Sequence, residues 1–233
     1  MNKIGIIGAM ELEVETLKEK MKINNIVKKA SMDFHEGSLN DVEVVIVRSG
    51  IGKVNAGICV QILADLFHVT HIINTGVAGS LNPSIDIGDI VISTDAMYHD
   101  VDATVFGYQP GEIPQLGQRE FIAEPSLIAL AKVACEDVNP DIHAFSGRVV
   151  SGDQFISDKA VKERLVNVFE GFCAEMEGAA IAQASTLNHI PFVIIRAISD
   201  KADERAEMDY PSFERKAAAD CAKLVAHMIT NIK

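Results

Sequence analysis

Hydrophobic residues in this chain come in short runs rich in β-branched side chains, separated by segments where they recur every three or four positions. The runs are Lys3–Gly8, Val42–Arg48, His71–Thr75, Asp89–Ser93, Gly147–Val150 and Pro191–Ile198. Several are apolar throughout rather than alternating, the pattern of strands covered on both faces. Helical periodicity marks Met10–Met21, Val54–Leu66, Pro125–Cys135, Asp158–Val168, Glu175–Leu187 and Pro211–Ile232. Pro125 and Pro211 suit the first position of a helix, where no N–H is needed. Strands alternating with helices predict an α/β sheet with crossover connections. No internal repeat, low-complexity tract or Gly/Ser linker divides the chain, so one domain over residues 1–233 is expected.

Two stretches break the pattern. Tyr98–Gln118 lacks clear periodicity, and loops of that length inside a compact domain are usually functional or disordered. Its aromatics Tyr98, Phe106 and Tyr108 predict an ordered loop that packs on something. The polar stretch Lys201–Asp209 reads either as a solvated loop or as a lid.

Composition narrows the ligand. Hydrophobic residues make up 48% of the chain and charged residues 23%, enough for one sizeable core. The 33 acidic residues outnumber the 21 basic ones, giving a formal charge of −12. An acidic chain without Lys/Arg clusters argues against nucleic acid or an anionic membrane as partner and leaves a small molecule. Cys59, Cys135, Cys173 and Cys221 are far apart and form no C-x-x-C pair, so buried reduced thiols are expected. The apolar run before Glu11 is too short for a signal-peptide core, and no run approaches a membrane span. A cytoplasmic protein is expected.

Three familiar motifs are nearly present. Gly50-Ile51-Gly52-Lys53 follows an apolar run and precedes a helix, but Val54 stands where a phosphate loop needs Ser or Thr, and Asn55 where a dinucleotide fingerprint wants Gly. Those glycines serve either a close backbone approach or a tight strand-to-helix turn. His99-Asp100-x-Asp102 has no companion at ligand spacing, so no metal is expected. Gly76-Val77-Ala78-Gly79-Ser80 lacks the central Ser of a nucleophile elbow.

Acids in costly places are more informative. Glu175-Met176-Glu177 precedes GAAIAQAS, a segment of small and apolar residues. An ionised carboxylate there needs partners, or its pKa must rise, unless both acids simply cap the helix. Asp200 ends the run PFVIIRAISD, and ligand sites of open α/β sheets lie outside the carboxyl ends of strands. A turn or capping Asp is the plainer reading. Arg196, within the same run, needs a carboxylate or ligand partner. Glu13, one turn into the first helix, reads alone as a surface acid.

Taken together, seven segments resemble the 5′-methylthioadenosine/S-adenosylhomocysteine nucleosidases, a branch of the purine nucleoside phosphorylase superfamily. They are IGIIGAMELEVE near the start, SGIGKVNA at 49–56, NTGVAGSL at 74–81, YHDVDATVFGY at 98–108, SGDQFI at 151–156, AEMEGAAIA at 174–182 and FVIIRAISDKAD at 192–203. The resemblance implies an α/β domain with a central mixed sheet flanked by helices, no metal or organic cofactor, and a homodimer. It implies hydrolysis of methylthioadenosine and adenosylhomocysteine, and of 5′-deoxyadenosine, in methionine salvage.

The resemblance also assigns roles. Asp200 matches the acid that delivers a proton toward N7 of adenine, and burial, modulated by Arg196, is expected to raise its pKa. Glu13 matches the residue that orients and deprotonates the water, with Arg196 close by. Glu177 matches the ribose ligand, with Met176 beneath the sugar. Phe155 is expected to stack on adenine, the Ile156 backbone to read the base edge, and Ser199 to lie beside the acid. Met10, Ile51 and Tyr210 match positions lining the sugar and alkylthio end, and Phe106 is expected to reach the alkylthio pocket of the partner subunit. Phosphorolysis is the nearest rival, kept open by Lys53 and Arg48. Against it, acidic ELEVE follows the first strand, and a Glu beside the nucleophile repels phosphate but activates water. A futalosine-type hydrolase is a second rival. A non-catalytic nucleoside-binding protein is a third, disfavoured because Glu13 and Asp200 are both present.

Overall fold

The computed structural model describes residues 2–203 and 206–232. The described residues form ten strands and six α-helices in one α/β body. The first half runs β1 (Lys3–Gly8), α1 (Glu11–Lys20), β2 (Lys22–Lys29), β3 (Met32–Leu39), β4 (Val42–Arg48), α2 (Lys53–Phe67), β5 (His71–Ser80) and β6 (Ile90–Tyr98). The second runs β7 (Phe121–Ile122), α3 (Pro125–Val138), β8 (Ala144–Ser151), α4 (Lys159–Phe169), β9 (Cys173–Glu175), α5 (Gly178–Leu187), β10 (Phe192–Asp200) and α6 (Ala206–Met228).

The sheet is mixed. β1 lies parallel between β4 and β5, and β10 runs parallel to β5 but antiparallel to β6. β5 is the pivot. Its first half pairs with β1 (His71 to Asn74), and its end (Gly79 and Ser80) pairs with β9 on leaving β1. Pairings β10–β6, β6–β8, β8–β9 and β9–β5 then return to β5–β10, so five strands close on themselves. The strands β1, β4, β3 and β2 extend from this ring as an open wing.

Uninterrupted apolar runs arise because both faces are covered. Ile4, Ile6, Val44, Ile46, Ile73, Val193 and Ile195 pack with α1, α3 and α6, while Ile7, Val45, Val47, Ile72 and Ile194 pack with α2 and α5. The alternation of strand side chains thus feeds two cores from one run.

The structure departs from the sequence expectations in definite places. The hairpin β2–β3 and the short β9 have no counterpart among the apolar runs. β5 and β6 continue several residues beyond theirs and β10 by two, and Gly178, not Glu175, opens α5. Pro125 does take the first turn of α3 after the N-cap Glu124. Pro211 does not: α6 has already begun at Ala206, placing the proline inside it. That start also removes residues 206–209 from the loop expected at 201–209, of which residues 204 and 205 lie outside the described residues. The stretch after Tyr98 is ordered by a 3-10 turn at Thr104–Phe106 and a bridge from Ile113 to Gln118.

Candidate active site

β1, β4, β5 and β10 run parallel and deliver their carboxyl ends to one edge, where α/β sheets bind ligands. A cavity of about 330 Å³ opens there. Its floor comes from Ala9, Met10 and Glu13 after β1, Val77–Gly79 of β5, and Ser199 and Asp200 of β10. Ala174–Glu177 form one wall, and Ile51, Phe155 and Tyr210 stand at the others.

Glu13 lies in the first turn of α1, but it points inward. Its Oε2 accepts from the N–H groups of Ala9 (2.7 Å) and Met10 (2.9 Å), and its Oε1 from the N–H of Val77 (3.0 Å). Arg196 Nη1 sits 3.9 Å from Oε1. Burial raises the Glu13 pKa, opposed by the Arg196 charge and the three backbone donors. Gly76 makes this approach possible, since a Cβ there would lie 2.4 Å from both Glu13 Oε1 and Arg196 Nη1.

Arg196 is 1% exposed and stands behind the cavity rather than in it. Its Nη2 donates to Asn74 Oδ1 (2.6 Å) and to Glu175 Oε2, and lies 3.5 Å from Glu177 Oε2. Burial works against its charge, but Glu175, Glu177 and Glu13 together hold its pKa above the ordinary value. Glu177 sits at the N-cap of α5, yet its side chain caps nothing there. Its Oε1 accepts from the Gly52 N–H at 2.8 Å. Gly52 has φ +98, a left-handed setting that aims this N–H across the cavity mouth. The Gly50–Gly52 loop is therefore a close backbone approach. Burial and the neighbouring Glu175 charge push the Glu177 pKa up to about 7.

Asp200 reaches the cavity through a β-bulge. Ile198 pairs with Ala78 and Asp200 with Gly79, leaving Ser199 as the extra residue. Bulges re-aim side chains, and here both Ser199 and Asp200 line the cavity. Asp200 Oδ1 accepts from the Ala202 N–H (2.8 Å) and Oδ2 from the Ser199 hydroxyl (3.0 Å). Burial raises its pKa, opposed by those two hydrogen bonds and reinforced by Asp209 and Asp203. The expected modulation by Arg196 is not what acts on Asp200. The guanidinium is engaged by the three glutamates instead.

The remaining candidates separate into two groups. Met10, Ile51, Phe155, Met176, Ser199 and Tyr210 line the cavity with the acids. The Phe155 ring meets Tyr210 edge-on, centroids 5.8 Å apart, and the Tyr210 hydroxyl lies 3.3 Å from Met10 Sδ. The Ile156 side chain packs with Leu165 and Phe169 of α4, and the role expected of this residue belongs to its backbone. Phe106 is 80% exposed on the 3-10 turn and does not line this cavity. Among the described residues no group of three or more His, Cys, Asp or Glu could hold a metal.

Comparison with known proteins places the chain in a family. The sequence model of the phosphorylase superfamily matches residues 3–230. The 5′-methylthioadenosine/S-adenosylhomocysteine nucleosidase of Staphylococcus saprophyticus is 45% identical over 230 residues, which are 98% of this chain and 100% of the relative. This chain belongs to the 5′-methylthioadenosine/S-adenosylhomocysteine nucleosidase family. A nucleosidase from Neisseria meningitidis, solved in complex with methylthio-immucillin-A, superimposes with a TM-score of 0.95 at 39% identity, covering 100% of both chains. Futalosine hydrolase of Helicobacter pylori superimposes with a TM-score of 0.93 at 33% identity, over 99% of this chain and 98% of that one.

Several residues that build the nucleosidase-like site escape sequence reasoning as site residues. Asn74 is buried in β5 and donates to the Ile7 carbonyl while accepting from Arg196. Its signal is a polar residue inside an apolar strand. Ser151 donates to Glu175 and accepts from the Ala179 N–H (2.7 Å). Asp153 accepts from the Lys53 N–H (2.9 Å) and donates its own N–H to Asp100 (3.0 Å), tying the loop before Phe155 to the loop bearing Gly52. Nothing in the spacing of Asp153 marks it.

Proposed function

We propose that this chain hydrolyses the N-glycosidic bond of 5′-methylthioadenosine and S-adenosylhomocysteine, releasing adenine and the 5-substituted ribose. The observation that carries the reading is that two acids with raised pKa values, Glu13 and Asp200, face one cavity whose wall holds a third acid, Glu177. Cleavage leaves positive charge on the ribose, and adenine must gain a proton to leave as a neutral molecule. Asp200, whose pKa burial raises, donates its proton toward N7. Glu13, fixed by three backbone donors, orients a water at the anomeric carbon and takes its proton, the two-carboxyl division of labour of inverting glycosidases. Glu177 accepts from the ribose hydroxyls over Met176, and Phe155 stacks on the base. 5′-Deoxyadenosine fits the same scheme.

The groups that keep phosphorolysis open are engaged elsewhere. Lys53 Nζ is bound to Asp100 at 2.5 Å with Asp153 at 3.8 Å, and the Arg48 side chain is 55% exposed with Glu11 at 3.9 Å. At the cavity one guanidinium serves three carboxylates, which disfavours a phosphate dianion. Release of the purine base from methylthioadenosine, adenosylhomocysteine and futalosine analogues, with and without phosphate, tests the reading. Phosphate-independent release from the first two is expected, and phosphate-dependent formation of a sugar 1-phosphate would overturn it.

The same reading includes a homodimer in which the Phe106 turn reaches the partner's cavity. It also includes a cytoplasmic location, in keeping with four buried unpaired thiols. Among the described residues no helix is long and apolar enough to cross a membrane.

A further inference from the structure

Glu175 is the buried acid of this site that the proposed chemistry leaves without a task. Its side chain is 2% exposed. Oε1 accepts from the Ser151 hydroxyl and the Gly178 N–H (2.9 Å), and Oε2 accepts from Arg196 Nη2, the Glu177 N–H (3.1 Å) and the Gly178 N–H (2.8 Å). A carboxylate has about four lone-pair sites, so none is left over for a ligand. Glu175 can act only through the groups it holds.

Those groups are the ones that matter. Arg196 stands between Glu13 and Glu177, at 3.9 and 3.5 Å, and Glu175 is its closest carboxylate. The two N–H groups it accepts flank the Glu177 carbonyl, which fixes the turn carrying Met176 and Glu177 into the cavity wall.

We propose that Glu175 is a positioning residue whose charge and reach fix Arg196 between the water-facing Glu13 and the ribose-facing Glu177, and thereby set the pH at which Glu177 becomes a full hydrogen-bond acceptor for the ribose hydroxyls. This rests on the nucleosidase reading. Glu177 is faced by Glu175, Arg196 and Glu13, and Glu175 by Arg196 on β10, Ser151 on β8, Cys173 on β9, and Tyr98 and His99 at the end of β6. Burial holds His99 below its ordinary pKa, so Arg196 is the cation that counts. Glu175 is the largest charge holding Glu177 up, second only to burial. Removing that charge lowers the Glu177 pKa, and freeing Arg196 to approach Glu177 lowers it further.

The test is the pH profile of kcat/KM for methylthioadenosine in wild type, Glu175→Gln and Glu175→Asp, with thermal melts on each. Glu175→Gln is expected to move the acid limb down by about one pH unit. Glu175→Asp keeps the charge but withdraws it by one methylene, so its limb stays at the wild-type pH while its plateau falls. Coincident limbs in Glu175→Gln and wild type overturn the proposal, since a merely structural role lowers the plateau alone. Equal shifts in both variants overturn it as well. If Glu175→Gln does not fold, Glu175→Asn takes its place against Glu175→Asp: an acid limb lower in Glu175→Asn than in Glu175→Asp supports the proposal, and coincident limbs overturn it. Wild-type protein that releases no adenine sinks the nucleosidase reading instead, so the two failures are distinguishable.

Discussion

Glu13 and Asp200 face one cavity but are held in opposite ways, and their substitutions should fail differently. Glu13 accepts three backbone N–H groups with a guanidinium close by, so its carboxylate is fixed in orientation. Among the described residues Asp200 has no cation partner, and burial favours its protonated form against the two hydrogen bonds it accepts. Asp200→Asn is expected to lower kcat by about a thousandfold while adenine binding, followed by calorimetry, stays within a few-fold of wild type. Because the acid works only while protonated, wild-type kcat should fall as pH rises through the raised Asp200 pKa. A basic limb that persists in the residual activity of Asp200→Asn would exclude Asp200 as its source. Glu13→Gln should cost about a hundredfold or more in kcat, with no rescue by phosphate. These residues are unequally legible along the chain. Glu177 and Asp200 stand out as acids among apolar neighbours, whereas Glu13 looks like any surface acid at a helix start. Its burial comes from β5, more than sixty residues away (the Val77 N–H and the bare Gly76 Cα), and no local pattern contains that.

At the scale of elements, the site depends on strands that continue past their apolar runs. β5 reads as a strand only to Thr75, because Gly76, Val77, Ala78, Gly79 and Ser80 mimic a turn. Those residues stay extended because small side chains are what let Glu13, Arg196 and Asp200 close on the strand. A Cβ at Gly79 would lie 2.7 Å from Asp200 Oδ1, and one at Gly76 only 2.4 Å from its two neighbours. Gly76→Ala is therefore expected to displace the Glu13–Arg196 pair, lowering kcat by about tenfold or more and the melting temperature by several degrees. Wild-type kcat in a folded Gly76→Ala protein would show that the approach is not needed. The layered core is legible because continuous apolar runs of β-branched residues mean strands covered on both faces. The hairpin β2–β3 is not, since β2 is almost wholly exposed and carries no apolar run. Its two-residue turn uses Ala30 and Ser31, both with positive φ (49 and 62), where Asn-Gly would have announced it. β9 is three residues long and merges with the helical pattern that follows. The bulge at Ser199 has no sequence signature, although it decides where Asp200 points.

The whole molecule carries two further consequences. Glu13, Glu177 and Asp200 all have raised pKa values in the fold, so their protonated forms are the better tolerated ones. Their contribution to stability is full below the ordinary carboxylate values and is lost as pH rises, for Glu177 between 4.5 and about 7. Melting temperature should decline over that window, and Glu177→Gln should flatten the decline. A profile as steep in Glu177→Gln as in wild type would remove Glu177 from the account. The second consequence concerns the outer surface. Val54 and Leu187 are 73% and 56% exposed and flank one groove between α2 and α5, and Val105 and Phe106 are more than three-quarters exposed on the 3-10 turn. Exposed large apolar residues mark interaction surfaces, and the proposed homodimer would cover both the groove and the turn. Sedimentation should therefore find a dimer that Val54→Asp shifts toward monomer, since a buried unpaired carboxylate is costly. If the turn also completes the partner's cavity, Phe106→Ala should leave the dimer intact and raise KM about tenfold for methylthioadenosine, with a smaller rise for adenosine, whose 5′-hydroxyl offers less apolar surface. A dimer unaffected by Val54→Asp would move the interface elsewhere, and equal KM changes for both nucleosides would detach Phe106 from the alkylthio end.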